Sequence, residues 1–149
     1  MSELVATYET DFYTWLLENA RLIRQGQFSK FDHENVAEEL EGMARSDKRQ
    51  LASRLAVLLA HLLKWELQPE KRSSSWRGTI KEQRKRILKL LAESPSLKNE
   101  LKNQLVDAHE SAIIIASNDT GISEFDFPQN CPFTLEQILD KNFLGIDET

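Results

Sequence analysis

Residues 51–65, LASRLAVLLAHLLKW, decide the fold. Leu51, Leu55, Leu58, Leu62 and Trp65 recur at spacings of three and four, which puts them on one face of a helix, and Leu59 and Leu63 widen that face. A face so broad needs packing on two sides, so this is the central helix of a helical core. It does not read as a membrane span. The stretch falls short of the roughly 18 apolar residues required and carries Arg54, His61 and Lys64 within it.

Downstream, Gln68-Pro69 ends the central helix, because the residue before proline avoids helical geometry. One of Ser73–Ser75 should cap the next helix, which begins near Trp76, buries Ile80, Ile87 and Leu91 and reaches about Glu93. Ser94-Pro95 offers a cap followed by proline at the first helical position. From there Leu97, Leu101, Leu105, Ala108, Ala112 and Ile115 predict a helix to about Asn118, with Gly121 closing it. ISEFDFPQNCPF reads as an extended strap, and Thr134 with Gln137 makes a capping box for a short last helix.

Upstream, Phe12, Trp15, Leu16, Ala20 and Ile23 predict a first helix from about Glu9 to Gln25, stopped by Gly26. Asp32 should cap a second, with Val36, Ala37, Leu40 and Met43 as its apolar stripe. At Gly42–Ser46 the helix either kinks and continues or gives way to a short turn before a new helix near Asp47; an internal glycine costs only about 1 kcal/mol, which favours a bent or briefly interrupted element. Alternation typical of strands is absent. The expected fold is all-α: an irregular four- to five-helix up-and-down bundle with a C-terminal strap and short terminal helix, in one domain over 1–149.

The 149 residues suffice to bury a core unaided. Cys131 is alone, so no intrachain disulfide is possible and no oxidising compartment is needed; its Asn-Cys-Pro-Phe setting has no neighbouring base or ligand and reads as a structural thiol. MSELVATYETDF has neither the basic start nor the apolar run of a secretory leader, so a cytoplasmic setting is expected. Net charge is −5, but residues 64–89 carry +6 and the rest −11. Such segregation suits an anion-binding face or a complement between a basic corner and an acidic surface, within the chain or across a homodimer.

The corner itself, HLLKWELQPEKRSSSWRGTIKEQRKR from His61 to Arg86, holds the candidate site. If the helices flanking Pro69 pack antiparallel, His61, Trp65, Gln68, Arg72, Trp76, Gln83 and Arg84 converge. That gives either a helix-bridging polar network or a ligand pocket. In the pocket reading Arg84 or Arg72 clamps an anion, Trp65 and Trp76 form an apolar wall and His61 acts as acid or base. Glu38, Glu41 and His61 could make a lone metal site only if the chain reverses near Gly42, so no metal and no cofactor are expected. His109-Glu110 reads as a surface pair. Lys81, Lys85 and Lys89 form an outer cationic strip suited to phosphates, but no nucleic-acid-binding motif accompanies them, and nucleic acid is not an expected partner. P-loop, dinucleotide, HExxH and nucleophile-elbow patterns are all missing.

Tyr8-Glu9-x-Asp11-Phe12-x-x-Trp15, HLLKW at 61–65, QPExR at 68–72, SWxxTIxEQR ending at Arg84, SPSL at 94–97 and FPxxCPF at 127–133 together resemble the bacterial domain of unknown function 29. The resemblance runs from Tyr8 to about Phe143. It implies a mainly helical fold and brings no catalytic residue with it; His109 stands where an aromatic hydroxyl is more usual. Function therefore rests on the residues. The first expectation is a cytoplasmic protein-interaction or accessory module, with a homodimer among its partners; the others are a small-anion binder or enzyme at the His61/Arg84 corner, and a weak nucleic-acid binder.

Overall fold

A computed structural model describes residues 3–145. They form six α-helices and two single 3-10 turns, with no strand among the described residues: α1 Glu3–Thr10, α2 Phe12–Arg24, α3 His33–Leu67, α4 Ser74–Glu93, α5 Leu97–Thr120 and α6 Leu135–Leu139. The class is all-α, an irregular helical arrangement ending in a short helix. By internal packing the chain divides into two compact units, Met1–Ser46 and Asp47–Thr149.

In the first unit, the single helix expected over 9–25 is instead two. Asp11 caps α2, its carboxylate accepting the Thr14 N–H at 3.2 Å and hydroxyl at 2.8 Å, and its backbone (φ −152°, ψ 80°) leaves helical geometry to do so. Trp15 is buried, donating its indole N–H to Asp32 at 2.9 Å. Asn19 accepts the Asp32 N–H at 2.8 Å and donates to the Trp15 carbonyl at 2.8 Å, so one polar network ties α2 to the start of α3. Burial opposes the charged form of Asp32, but hydrogen bonds from Asn35 and Trp15 outweigh it and hold the carboxyl below its ordinary value. Tyr8, edge-on to Phe12 and tilted against Trp15, donates to Glu39, and that bond pushes its phenol up to about 12.

α3 runs without interruption through Gly42 and Ser46. Of the two readings for that stretch, the continuous one holds: a glycine flanked by strong helix formers is carried by the cooperativity of its neighbours.

In the second unit, Leu51, Leu55, Leu58, Leu59, Leu62 and Leu63 are buried, as the breadth of the face requires. Each such leucine contributes about 1.5–3 kcal/mol of burial. Across the 3-10 turn Pro69–Lys71, α4 returns antiparallel to α3: Arg54 reaches Gln83, and Lys64 reaches Trp76. Ser73 caps α4 by accepting the Trp76 N–H at 3.1 Å. α5 runs parallel to α3, with Lys48 on Glu100 at 3.1 Å and Lys64 on Asp119 at 3.0 Å.

The start of α5 differs from expectation. Ser94 does not cap it and Pro95 is not its first residue; 94–96 form a turn, closed by the Leu97 N–H on the Ser94 carbonyl at 2.9 Å, and the helix begins at Leu97. Gly121 does end it, in the left-handed conformation (φ 78°). The following segment sends Phe127 and Phe133 into the core, and the Thr134–Gln137 capping box forms as expected. His109 is a correction: it is buried, with Nε2 on the Pro128 carbonyl at 2.8 Å. It shares the inward face with Ala112, Ile113 and Ala116, which outweighs the exposed Glu110 beside it.

Candidate functional site

α4 is one wall of an open groove of about 1040 Å³, and Lys141, Asn142 and Leu144 supply the other. Its floor is apolar, from Ile80, Leu88 and Leu144. Its rim is cationic. Arg77, Lys81, Lys85 and Lys89 recur every fourth residue along about 18 Å of helix, since each residue rises about 1.5 Å. Arg84, Arg86 and Lys141 add to them, against one carboxylate among the described residues, Glu82, which Arg86 engages. Among the described residues no aromatic side chain lines the groove.

Arg84 is its inner residue. Only 2% of it is exposed, and its Nε donates to the Ile138 carbonyl at 2.7 Å. Its Nη2 is buried with no hydrogen-bond partner among the described residues. Burial pushes the guanidinium below its ordinary pKa, and the Asp140 carboxylate opposes that shift. α6 positions the contact: its capping box fixes the short helix whose carbonyl holds Nε, while Nη2 stays buried and unpartnered among the described residues.

The seven residues expected to converge are distributed among separate contacts. Trp65 and Arg72 do meet: the Arg72 guanidinium lies 5.0 Å from the Trp65 ring centre and its Nε donates to the Trp65 carbonyl at 2.8 Å. Arg77 covers the same ring at 5.3 Å, so Trp65 is flanked by cations. Trp76 lies under the Lys64 ammonium at 5.1 Å, and that lysine pairs with Asp119. His61 is half-buried, its Nδ1 on the Val57 carbonyl at 2.9 Å. Burial lowers its pKa, the Val57 carbonyl opposes that, Lys64 lowers it further and Asp119 raises it. Gln68 is half-buried where the 3-10 turn begins, and Gln83 accepts from Arg54 at 3.2 Å. Arg84 lines the groove; His61 does not.

Glu38 and Glu41 lie on the part of α3 that runs on through Gly42 without reversing, so the chain reversal on which a site with His61 depended does not occur. No group of three His, Cys, Asp or Glu able to hold a metal gathers among the described residues. Cys131 is half-buried, and burial raises its thiol pKa despite a weak bond to the Phe133 carbonyl. No helix among the described residues is long and apolar enough to cross a membrane.

Sequence reasoning identified the strip Lys81, Lys85 and Lys89 and placed Arg84 near the core. It missed Arg77, whose spacing of four before Lys81 was a visible signal. It also missed Lys141, Asn142 and Leu144, which carry no local signal because they meet α4 only through the fold.

Residues 7–144 match a family model described as Domain of unknown function DUF29. Comparison with curated proteins and with solved structures finds no match.

Proposed function

The chain belongs to the DUF29 family, and from that premise we propose that it is a docking module whose α4 groove receives an acidic, partly apolar segment of a protein partner. The observation that carries this reading is the pairing of a cationic rim with an apolar floor along one face of α4, with the buried Arg84 among the lining residues. Such a surface answers an amphipathic helix bearing Glu and Leu on adjoining faces. The groove is open and lies at the upper end of the roughly 300–1,000 Å³ of small-molecule sites, a shape that suits a segment of chain laid along α4. Nucleic acid fits less well, since the groove offers no aromatic platform for bases. A bacterial, cytoplasmic setting belongs to the same proposal; the single cysteine is compatible with a reducing compartment.

One observation favours a second reading. The orphan Nη2 suits a small oxyanion such as phosphate, held by Arg84 with Lys81 or Lys85. The pocket of His61, Trp65, Gln68, Arg72, Trp76, Gln83 and Arg84 acting as one catalytic unit is the less supported form of that idea, because only Arg84 among them lines the groove.

Fluorescence anisotropy decides between the readings. The probe is a short labelled helical peptide with Glu and Leu on adjoining faces, titrated with wild type and with Lys81→Ala, Lys85→Ala and Arg84→Met. Binding that weakens in each variant and with added salt is expected. Failure of the peptide to bind, with inorganic phosphate protecting the protein against heat, would replace the first reading by the second.

A further inference from the structure

We infer that the occupant of the groove is a second copy of this chain, presenting the first half of α3. This inference rests on the docking reading above and names its partner. The first unit leaves one surface open. Leu40 is 63% exposed and Met43 66%, and they lie on one side of α3 with the exposed Ala37. Glu34, Glu38 and Glu41 are exposed alongside, about a quarter to a half turn round the helix at about 100° per residue. The opposite flank is already occupied: Glu39 bonds Tyr8, and Asn35 bonds Asp32. The open flank is thus acidic and apolar together.

That is the chemistry the groove asks for. Carboxylates at 34, 38 and 41 can meet ammonium groups at 81, 85 and 89, while Leu40 and Met43 reach the apolar floor. Glu34 to Met43 spans about 14 Å of helix, within the roughly 18 Å between Arg77 and Lys89. Charge segregation makes the match one-directional. Residues 64–89 sum to +6, and residues 1–46 hold nine Asp or Glu against four Lys or Arg. Among the described residues Glu41 pairs with Arg45 at 3.9 Å, and both of those side chains are largely exposed. An exposed pair of that kind is worth about 0–1 kcal/mol and yields readily to a partner.

The two surfaces differ, so the contact is heterologous: it closes when two or more chains exchange segments and otherwise continues as a chain. Sedimentation velocity of the full chain tests it at about 50 mM and about 500 mM salt, where screening falls from moderate to severe. Concentration-dependent association at low salt is expected, lost at high salt. Two charge-reversed proteins follow, one with Glu34→Lys, Glu38→Lys and Glu41→Lys, the other with Lys81→Glu, Lys85→Glu and Lys89→Glu. All six positions are exposed, so circular dichroism should show unchanged helicity. Each reversed protein alone should associate about tenfold more weakly or worse, and an equimolar mixture should regain association. Wild type that stays monomeric, or association that survives both reversals, overturns the inference. The acidic peptide titration separates the two failures: a monomer that still binds the peptide keeps the docking function and loses only this occupant, whereas a monomer that ignores the peptide loses both.

Discussion

Arg84→Met is the most telling single substitution. In the folded protein Arg84 is buried, its Nε spends one charge-assisted hydrogen bond on the Ile138 carbonyl and its Nη2 has no described partner. The bond is worth about 1.5–3 kcal/mol, and the unsatisfied buried group costs about 1–3 kcal/mol. Methionine removes both at similar length; it leaves the Ile138 carbonyl without its donor, a cost of about 1–3 kcal/mol, but it also lifts the desolvation cost of a buried charge, and the two changes oppose each other. The net change should therefore lie within about 1 kcal/mol. Arg84→Ala removes the same polar terms but also the packing stem, and the space left behind should cost about 2–5 kcal/mol. Urea unfolding followed by far-ultraviolet circular dichroism measures both. Anisotropy with the acidic peptide should show Arg84→Met binding about tenfold more weakly despite its near-native stability. If Arg84→Met instead lost more than about 3 kcal/mol while binding the peptide as wild type does, the guanidinium would be a structural bridge and the argument for a ligand-facing cation would fail.

Other outcomes follow from the same coordinates. Leu58 is fully buried on the central face of α3, so Leu58→Asp should cost more than about 4 kcal/mol; an unchanged urea midpoint would show that the face is not core. Gly121 adopts φ 78° with open space around it, so Gly121→Ala meets backbone strain alone, about 1–2 kcal/mol, and the melting temperature should fall by about 2–8 °C; no fall would mean the turn relaxes freely. His61 has its pKa lowered mainly by burial, so the unfolded chain takes up the proton first as pH drops below about 6.5. Its contribution is complete above the unfolded value and is lost as pH falls towards the folded one. Unfolding at pH 7.5 and 5.5 should show a smaller stability difference in His61→Gln than in wild type, and equal differences would refute the assignment.

What the sequence made legible follows the range of each interaction. The broad leucine face of 51–65, the Ser73 cap, the Gly121 stop and the 134–137 capping box are decided within a turn or two of chain, and each is found where the residues put it. Asp11 was also local, but its capping role was hidden because Phe12, Trp15 and Leu16 kept helical spacing across the break. His109 misled for a related reason: the adjacent Glu110 suggested a surface, while its register with Ala112, Ile113 and Ala116 pointed inward. The groove was half visible. Its α4 wall is written in the every-fourth-residue cations, but its other wall arrives more than fifty residues later, and no pattern around Lys141 announces which helix it will face. The dispersal of His61, Gln83 and Arg84 has the same origin: antiparallel packing of α3 and α4 was foreseeable, while α6 drawing Arg84 away from that seam was not.

Arg77 has two neighbours, and this gives the molecule an optical consequence. Its guanidinium rests 5.3 Å from the centre of the Trp65 indole while its side chain also lines the groove. An anionic occupant that draws Arg77 towards itself lifts a positive charge from the face of a buried fluorophore, and indole emission responds to such a change in local field. With Trp15 and Trp76 replaced by phenylalanine, Trp65 alone would signal whether the groove is filled, without a label and on the undivided chain.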